Sequence, residues 1–202
     1  MKQTSLELFF NSQFEEHILV ANRSHEQLYK PFSKAVSVCV NSLKRNKKII
    51  IFGNGGSAAD AQHIATELTV RFSKNRKALA AIAITTDTST LTAIGNDFGF
   101  EYLFARQIQA LGNKGDVSIG ISTSGKSENI ILGLKESKNI GMQTISFCGK
   151  NKEKLEKVSD TIISIPASNT SRIQEMHITI GQMLCNAIEE GLKLSKFVKS
   201  EK

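Results

Sequence analysis

Short apolar runs alternate with amphipathic stretches along most of this chain. Five mostly apolar runs lie at positions 49–52, 80–84, 117–121, 143–147 and 161–165. Nearly continuous apolar strands that alternate with helices are typical of a parallel sheet covered by helices on both faces. The pattern therefore predicts an α/β fold built on a five-stranded parallel sheet.

Helical spacing predicts the segments that surround these strands. Between the strands, helices are expected at positions 58–72, 101–111 and 127–139. Before the first strand, two helices are expected at 5–29 and 32–44, with Pro31 starting the second because proline suits the first helical turn. A long final helix is expected at 172–194. No repeat divides the chain, so a single domain is predicted over positions 1–202.

Composition narrows the class of protein and its compartment. The 202 residues carry a net charge of +7, but the lysines are scattered and tryptophan is absent, so a nucleic-acid partner is not expected. Cys39, Cys148 and Cys185 lie far apart, as expected of buried thiols in a reducing compartment. With no signal peptide and no apolar run of membrane-spanning length, the sequence predicts a cytoplasmic protein.

Residues 122–127 (STSGKS), here termed the serine-rich loop, follow an apolar strand and lead into a predicted helix. Free backbone N–H groups at the start of a helix attract anions. The hydroxyl groups of Ser122, Thr123, Ser124 and Ser127 can add hydrogen-bond donors without adding charge. The loop therefore predicts a binding site for a phosphorylated small molecule.

Two other interpretations of the same loop are open. Residues 120–127 satisfy the P-loop pattern GxxxxGK[ST], which binds nucleotide phosphates together with Mg²⁺. Against it, Gly120 falls inside the predicted strand, and Asp160 precedes a strand instead of ending one. A loop that merely caps a helix, with Ser127 as the N-cap residue, is the simpler alternative.

A second loop of this kind begins at residues 53–56 (GNGG), here termed the glycine-rich loop. Gly53, Gly55 and Ala58 fit a loose dinucleotide fingerprint, but no acidic residue stands about 20 positions later, where that fingerprint requires one. Ligands of open parallel sheets bind beyond the carboxyl ends of the strands. Two anion-binding loops at such ends fit a sugar phosphate better than a dinucleotide.

His63 and Glu67 are four residues apart on the helix that follows the glycine-rich loop, so they share one face of that helix. A histidine and a carboxylate in this arrangement can bind a divalent metal or transfer protons. An exposed surface pair is the plainer interpretation of the two residues alone. Their place close to an anion-binding loop favours the functional interpretation.

Four motifs in order resemble one family over essentially the whole chain. They are residues 53–63 (GNGGSAADAQH), 95–100 (GNDFGF), 120–127 (GISTSGKS) and 172–178 (RIQEMHI). Together they resemble the bacterial sedoheptulose 7-phosphate isomerases, or phosphoheptose isomerases, of the sugar-isomerase (SIS) fold. The resemblance implies a flavodoxin-like three-layer sandwich and a homotetramer whose active sites are completed by neighbouring subunits. It also implies production of a heptose 7-phosphate for lipopolysaccharide.

The resemblance further implies roles for individual residues of this chain. The substrate phosphate would be held by Ser122, Thr123, Ser124 and Ser127. The sugar would be lined by Asn54, Gly55, Gly56, Glu67, Asn96, Asp97 and Gln174. The four zinc-ligand positions of the family match His63, Glu67, Gln174 and Gln182, and Glu67 is the expected catalytic base.

Gln182 departs from the family pattern, which has a histidine that acts as an acid or base at this position. An amide cannot exchange a proton near neutral pH, so turnover and zinc binding should both be weaker here. A related branch of the fold has lost catalysis and binds the replication initiator protein instead. The sequence thus predicts an isomerase with Glu67 and Gln182 as its catalytic residues, and initiator binding is the alternative.

Overall fold

The computed structural model describes residues 4–194 and contains one five-stranded sheet. Its strands are β1 (Ile49–Gly53), β2 (Ala81–Ala83), β3 (Val117–Ser122), β4 (Gln143–Cys148) and β5 (Thr161–Ser164). All neighbouring strands run parallel, in the order β2-β1-β3-β4-β5. Every residue of β1 and β3 is buried, which explains their nearly continuous apolar sequences. The predicted parallel α/β sheet is confirmed.

The strand order creates a switch point between β1 and β3. The chain leaves β1 towards β2 on one side and later returns to β3 on the other side. Gly53 at the end of β1 pairs in register with Ile121, next to the end of β3. The glycine-rich and serine-rich loops therefore leave the sheet side by side, at the position where such folds bind their ligands.

Helices cover both faces of the sheet, as predicted. They are α1 (Ser5–Lys44), α2 (Gly56–Thr69), α3 (Thr88–Asp97), α4 (Leu103–Leu111), α5 (Glu128–Ile140) and α6 (Thr170–Gly191), with 3₁₀ turns at Phe100–Tyr102 and Leu155–Lys157. Ile49 and Ile51 of β1 pack into the core shared by α1, α2 and α6. Ile50 and Phe52 point the other way, into the core that includes residues of α4 and α5. Side chains that alternate along one strand thus form two apolar layers.

The prediction of two N-terminal helices is wrong, because α1 continues without a break through Pro31. Proline removes one backbone hydrogen bond within a helix and normally favours a helix start or a kink. Here Leu28 and Ala35, on either side of Pro31, are both buried in the same apolar core. Packing of these buried side chains against the rest of the fold stabilises one long helix despite the missing backbone hydrogen bond at Pro31.

The helix α3 was not predicted, because its sequence opens with Thr88, Ser89 and Thr90, which have low helix propensity. Asp87 stabilises its start, since the Asp87 side chain accepts hydrogen bonds from the Thr90 backbone N–H at 3.1 Å and from its hydroxyl at 2.7 Å. The final helix also begins earlier than predicted, at Thr170, where Asn169 caps it. Across residues 4–194, no helix combines the length and apolar character needed to cross a bilayer.

Candidate active site

The serine-rich loop forms a tight turn between β3 and α5. The Ser122 hydroxyl donates to the Ser127 hydroxyl at 3.1 Å, and the Lys126 backbone N–H donates to the Ser124 side chain at 3.2 Å. Ser122 is buried, whereas Ser124 and Lys126 are exposed. The hydroxyl groups of the loop are therefore gathered at the start of α5, where a phosphate can reach them together with backbone N–H groups.

The geometry of the loop argues against a P-loop, and of the capping interpretation it confirms the position of Ser127 but shows no capping hydrogen bond. Gly120 lies within β3 and is paired with Phe52 and Ser146, so it cannot form the start of a phosphate-wrapping loop. Asp160 accepts hydrogen bonds from Thr144 at the amino end of β4, at the opposite edge of the sheet. Ser127 occupies the N-cap position of α5, but its side chain makes no capping hydrogen bond.

A reciprocal pair of amides joins the two loops. The Asn54 side-chain N–H donates to Asn129 Oδ1 at 2.9 Å, and the Asn129 N–H donates back to Asn54 Oδ1 at 3.0 Å. Asn129, in the first turn of α5, is only 2% exposed. The pair fixes the glycine-rich loop against the beginning of the helix that follows the serine-rich loop. Sequence reasoning missed Asn129, because a buried amide partner for Asn54 is visible only in three dimensions.

His63, Glu67 and Gln182 meet where α2 packs against α6. His63 Nε2 lies 3.1 Å from Glu67 Oε1 and 2.8 Å from the side-chain nitrogen of Gln182. The side chains of His63 and Glu67 are 50% and 21% exposed, so solvent and ligands can reach them. The two helices approach closely at Gly181, where an added Cβ would lie 2.7 Å from Ile64 Cδ1. This close packing places Gln182 beside His63.

Gln174, near the start of α6, lies against the first residue of α2. A Cβ added to Gly56 would lie 2.4 Å from Gln174 Nε2, so the absence of a side chain at Gly56 makes room for the amide. Among residues 4–194, no hydrogen bond links Gln174 to His63 or Glu67. The structure therefore places Gln174 over the glycine-rich loop, in a position to contact a ligand there.

Asn96 and Asp97 lie at the end of α3, where both are exposed and the Asn96 side chain donates to Asp97 Oδ1 at 2.7 Å. A cavity of about 540 Å³ opens between the glycine-rich loop and α3, but its lining on α3 includes Gly95 and neither Asn96 nor Asp97. Neither residue therefore lines the cavity beside the glycine-rich loop of its own chain.

The side chains around His63 partly fit a divalent cation. Nε2 of His63 faces both a carboxylate oxygen and an amide nitrogen, and a single ring nitrogen cannot donate to one and accept from the other. A cation at Nε2 would attract the Glu67 carboxylate and, after rotation of the amide, the oxygen of Gln182. Within residues 4–194, no three His, Cys, Asp or Glu side chains group together in a way that could hold a metal. The strong donors are therefore one imidazole and one carboxylate.

Burial shifts the pKa values of two other ionisable residues, Asp60 on α2 and His177 on α6. Asp60, one turn before His63 on α2, has its pKa raised because burial disfavours the charged carboxylate, an effect that His63 partly offsets. Burial lowers the pKa of His177 on α6 to about 4, with a smaller opposing effect from the Cys148 backbone. His177 is 0% exposed and packs on Phe147, so it cannot take the place of Gln182.

The chain is similar to known phosphoheptose isomerases over nearly all of its length. The sequence profile of the SIS domain matches residues 13–149. The phosphoheptose isomerase of Paramagnetospirillum magneticum is 49% identical over 181 residues, which cover 90% of this chain and 94% of that protein. The corresponding protein of Nitratiruptor sp. is 52% identical over 175 residues, covering 87% of this chain and 94% of that relative.

A solved structure supports the same relationship. Phosphoheptose isomerase GmhA from Neisseria gonorrhoeae matches with a TM-score of 0.87 at 40% identity, over 92% of this chain and 100% of that one. The match includes the parallel sheet and therefore the switch point where the two loops meet. On sequence and on structure alike, this chain belongs to the phosphoheptose isomerase family of SIS-domain proteins.

Proposed function

We propose that this chain is an aldose–ketose isomerase that converts sedoheptulose 7-phosphate into D-glycero-D-manno-heptose 7-phosphate for lipopolysaccharide heptose. The observation that carries the proposal is the meeting of the two loops at the β1–β3 switch point, with the His63–Glu67–Gln182 cluster where the helix after the glycine-rich loop packs against α6. The names of its close relatives support the same substrate.

The serine-rich loop binds the phosphate in this proposal, through hydroxyl and backbone N–H groups. The sugar extends towards Asn54, Gly55 and Gly56, with Gln174 above the glycine-rich loop. In this proposal a neighbouring subunit presents Asn96 and Asp97 to the sugar, since they do not line the cavity beside the glycine-rich loop of their own chain. Recognition of the phosphate and of the sugar thus depends on different loops.

The isomerisation moves one proton between carbons and one between oxygens. Glu67 takes a proton from C1 of the ketose and returns it to C2, while a proton moves from O1 to O2 through an enediol. Gln182 donates a hydrogen bond to one of these oxygens but cannot supply a proton. A side chain that holds an oxygen without exchanging its proton should make turnover slower than a histidine would.

We also propose that zinc binds weakly at His63, Glu67, Gln174 and Gln182, where it would polarise the sugar oxygens. Only two of these side chains are strong zinc ligands, because amide oxygens are neutral and hard donors. We expect zinc added to the purified protein to be lost on dialysis against a chelator, as measured by elemental analysis. Stoichiometric zinc after exhaustive chelation would contradict the assignment.

We further propose a homotetramer that packs through α1 and α6. The first turns of α1 expose large apolar side chains, among them Leu6 at 74%, Phe9 at 60% and Phe14 at 57%. A mostly apolar cavity of about 510 Å³ lies between α1 and α6 and is lined by residues such as Leu28 and Met176. Copies of this chain would cover both surfaces. Light scattering that shows a monomer at micromolar concentration would overturn the assembly.

The decisive experiment for the isomerase is incubation with sedoheptulose 7-phosphate, with and without added zinc, while the heptose 7-phosphate product is followed. Glu67→Gln should abolish product formation, whereas Glu136→Gln, a half-buried change on α5, should not alter it. Absence of product under both conditions would overturn the proposal. We place the reaction in the cytoplasm, where the buried free thiols Cys39, Cys148 and Cys185 stay reduced.

Binding of a replication initiator protein is the alternative function, and Gln182 is the residue that raised it. The described residues offer no observation that favours such a partner. The family relationship favours the enzyme instead, because His63 and Glu67 are both retained and in contact.

A further inference from the structure

A buried ion pair joins the loop after α2 to the last part of α6. Arg76 Nε lies 2.6 Å from Glu189 Oε1, and the two side chains are 3% and 0% exposed. The backbone N–H of Phe72 donates to the same carboxylate oxygen at 3.1 Å. The pair thus connects the loop after α2 to a residue of α6 that lies 113 positions later in the chain.

The Arg76 guanidinium also holds the end of α2. It donates to the backbone carbonyl oxygens of Glu67 and Leu68, each at 2.8 Å, and to that of Val70 at 3.3 Å. Carbonyl groups in the last turn of a helix lack partners within the helix, and a cation there also interacts favourably with the helix dipole. One side chain therefore fixes the backbone of Glu67, the proposed base.

The partner of Arg76 lies on the helix that carries Gln182. Glu189 follows Gln182 by seven residues on α6, which is about two helical turns. Two of the contacts that hold the end of α2 to α6, besides the packing at Gly181, are the exposed His63–Gln182 contact and the buried Arg76–Glu189 pair. The second of these contacts sets where the backbone of Glu67 stands relative to Gln182.

Stability alone is a poor explanation for this pair. Desolvation of two charges offsets much of their attraction, and apolar side chains of similar size are often at least as stabilising. Moreover, Glu189 Oε2 has no hydrogen-bond partner among residues 4–194, which costs stability. Arg76 donates hydrogen bonds to the backbone carbonyls of Glu67 and Leu68, and an apolar side chain could not do so.

We infer that Arg76 and Glu189 are positioning residues that fix the Glu67 carboxylate relative to the His63–Gln182 contact. The inference rests on the proposed role of Glu67 as the base. It predicts that the pair controls the rate of the chemical step and not the binding of the phosphate, because the serine-rich loop lies on other elements. Single changes at either residue would leave a buried charge unpaired and could unfold the chain.

The test is the double variant Arg76→Met/Glu189→Met, which removes both charges together. We expect a folded protein of unchanged assembly whose kcat falls at least tenfold while its KM changes less than about twofold. Arg76→Lys should also lower kcat, since one ammonium group cannot contact Glu189 and both carbonyls. The control is Lys138→Met, which removes the partly exposed Lys138–Asp160 ion pair at the opposite edge of the sheet and should leave kcat unchanged.

A second readout does not depend on turnover. The ring resonances of His63 in a ¹H–¹³C NMR spectrum should shift in the double variant and stay in place in Lys138→Met. If the unmodified chain forms no heptose 7-phosphate, the isomerase proposal fails, while shifted His63 resonances still support positioning. A folded double variant with the original kcat, or with unmoved His63 resonances, overturns the inference.

Discussion

Acidification should destabilise the fold through His177, the buried histidine of α6. The residue is 0% exposed, and the centroid of its ring lies 5.7 Å from that of Phe147. Burial of this kind disfavours the imidazolium and lowers the pKa from its ordinary value of 6.5 to about 4. Below pH 6.5, this histidine therefore becomes protonated in the unfolded chain, whereas in the folded chain it stays neutral until the pH approaches about 4.

The magnitude follows from the difference between these two pKa values. A lowered pKa means that the stability is fully present above the unfolded value and is lost as the pH falls towards the folded value. The window runs from 6.5 down to about 4. At 1.36 kcal/mol for each pKa unit, this one proton removes about 3 kcal/mol from the free energy of unfolding across the window.

Urea denaturation at a series of pH values, at one fixed chain concentration, measures this loss. The comparison is with His177→Met, which keeps a similar side-chain volume but has no titratable group. All other ionisable groups are common to the two proteins, so the difference between their pH profiles isolates His177. The unmodified protein should lose about 3 kcal/mol more than the variant over the window. Parallel profiles would refute the argument that this ring is neutral because it is buried.

Three further predictions concern the site. Gln182→His should raise kcat by about 10² or more with little change in KM, because it restores a proton carrier beside Glu67; an unchanged kcat measured with sedoheptulose 7-phosphate would count against this role. Lys126→Ala should leave sugar-phosphate binding intact while Ser124→Ala weakens it, and calorimetry showing the reverse order would favour a P-loop. Asp60→Asn should raise the melting temperature at neutral pH but not in strong acid. Burial raises the pKa of this carboxyl, so its ionised form destabilises the fold at a pH above that pKa. Equal gains in melting temperature at both pH values would contradict this pH dependence.

The centre of the sheet could be predicted because β1 and β3 are buried on both faces and are therefore mostly apolar. Local propensity misled the prediction at Pro31, where packing of the flanking apolar residues outweighs the missing hydrogen bond. It also hid α3, whose start depends on the Asp87 cap more than on its threonines. The first error comes from tertiary packing, whereas the Asp87 cap is a local signal that the low helix propensity of the threonines obscured.

The candidate site, too, could be predicted only in part from the sequence. Motifs located the two loops, and helical spacing placed His63 next to Glu67. The pairing of Asn54 with Asn129 spans 75 positions, and that of Arg76 with Glu189 spans 113, so no local signal reveals either. Arg76 stands in the polar stretch 73–77, where a basic residue resembles any other surface charge.

The paired amides of Asn54 and Asn129 have a consequence for how the enzyme responds to its surroundings. Neither group ionises between strongly acidic and strongly basic pH, and the two mutual hydrogen bonds carry no net charge for salt to screen. We therefore expect the distance between the two ligand-binding loops not to change with pH or ionic strength. A change in turnover with pH then reports on the groups that move protons, and not on a change in the distance between phosphate and sugar sites.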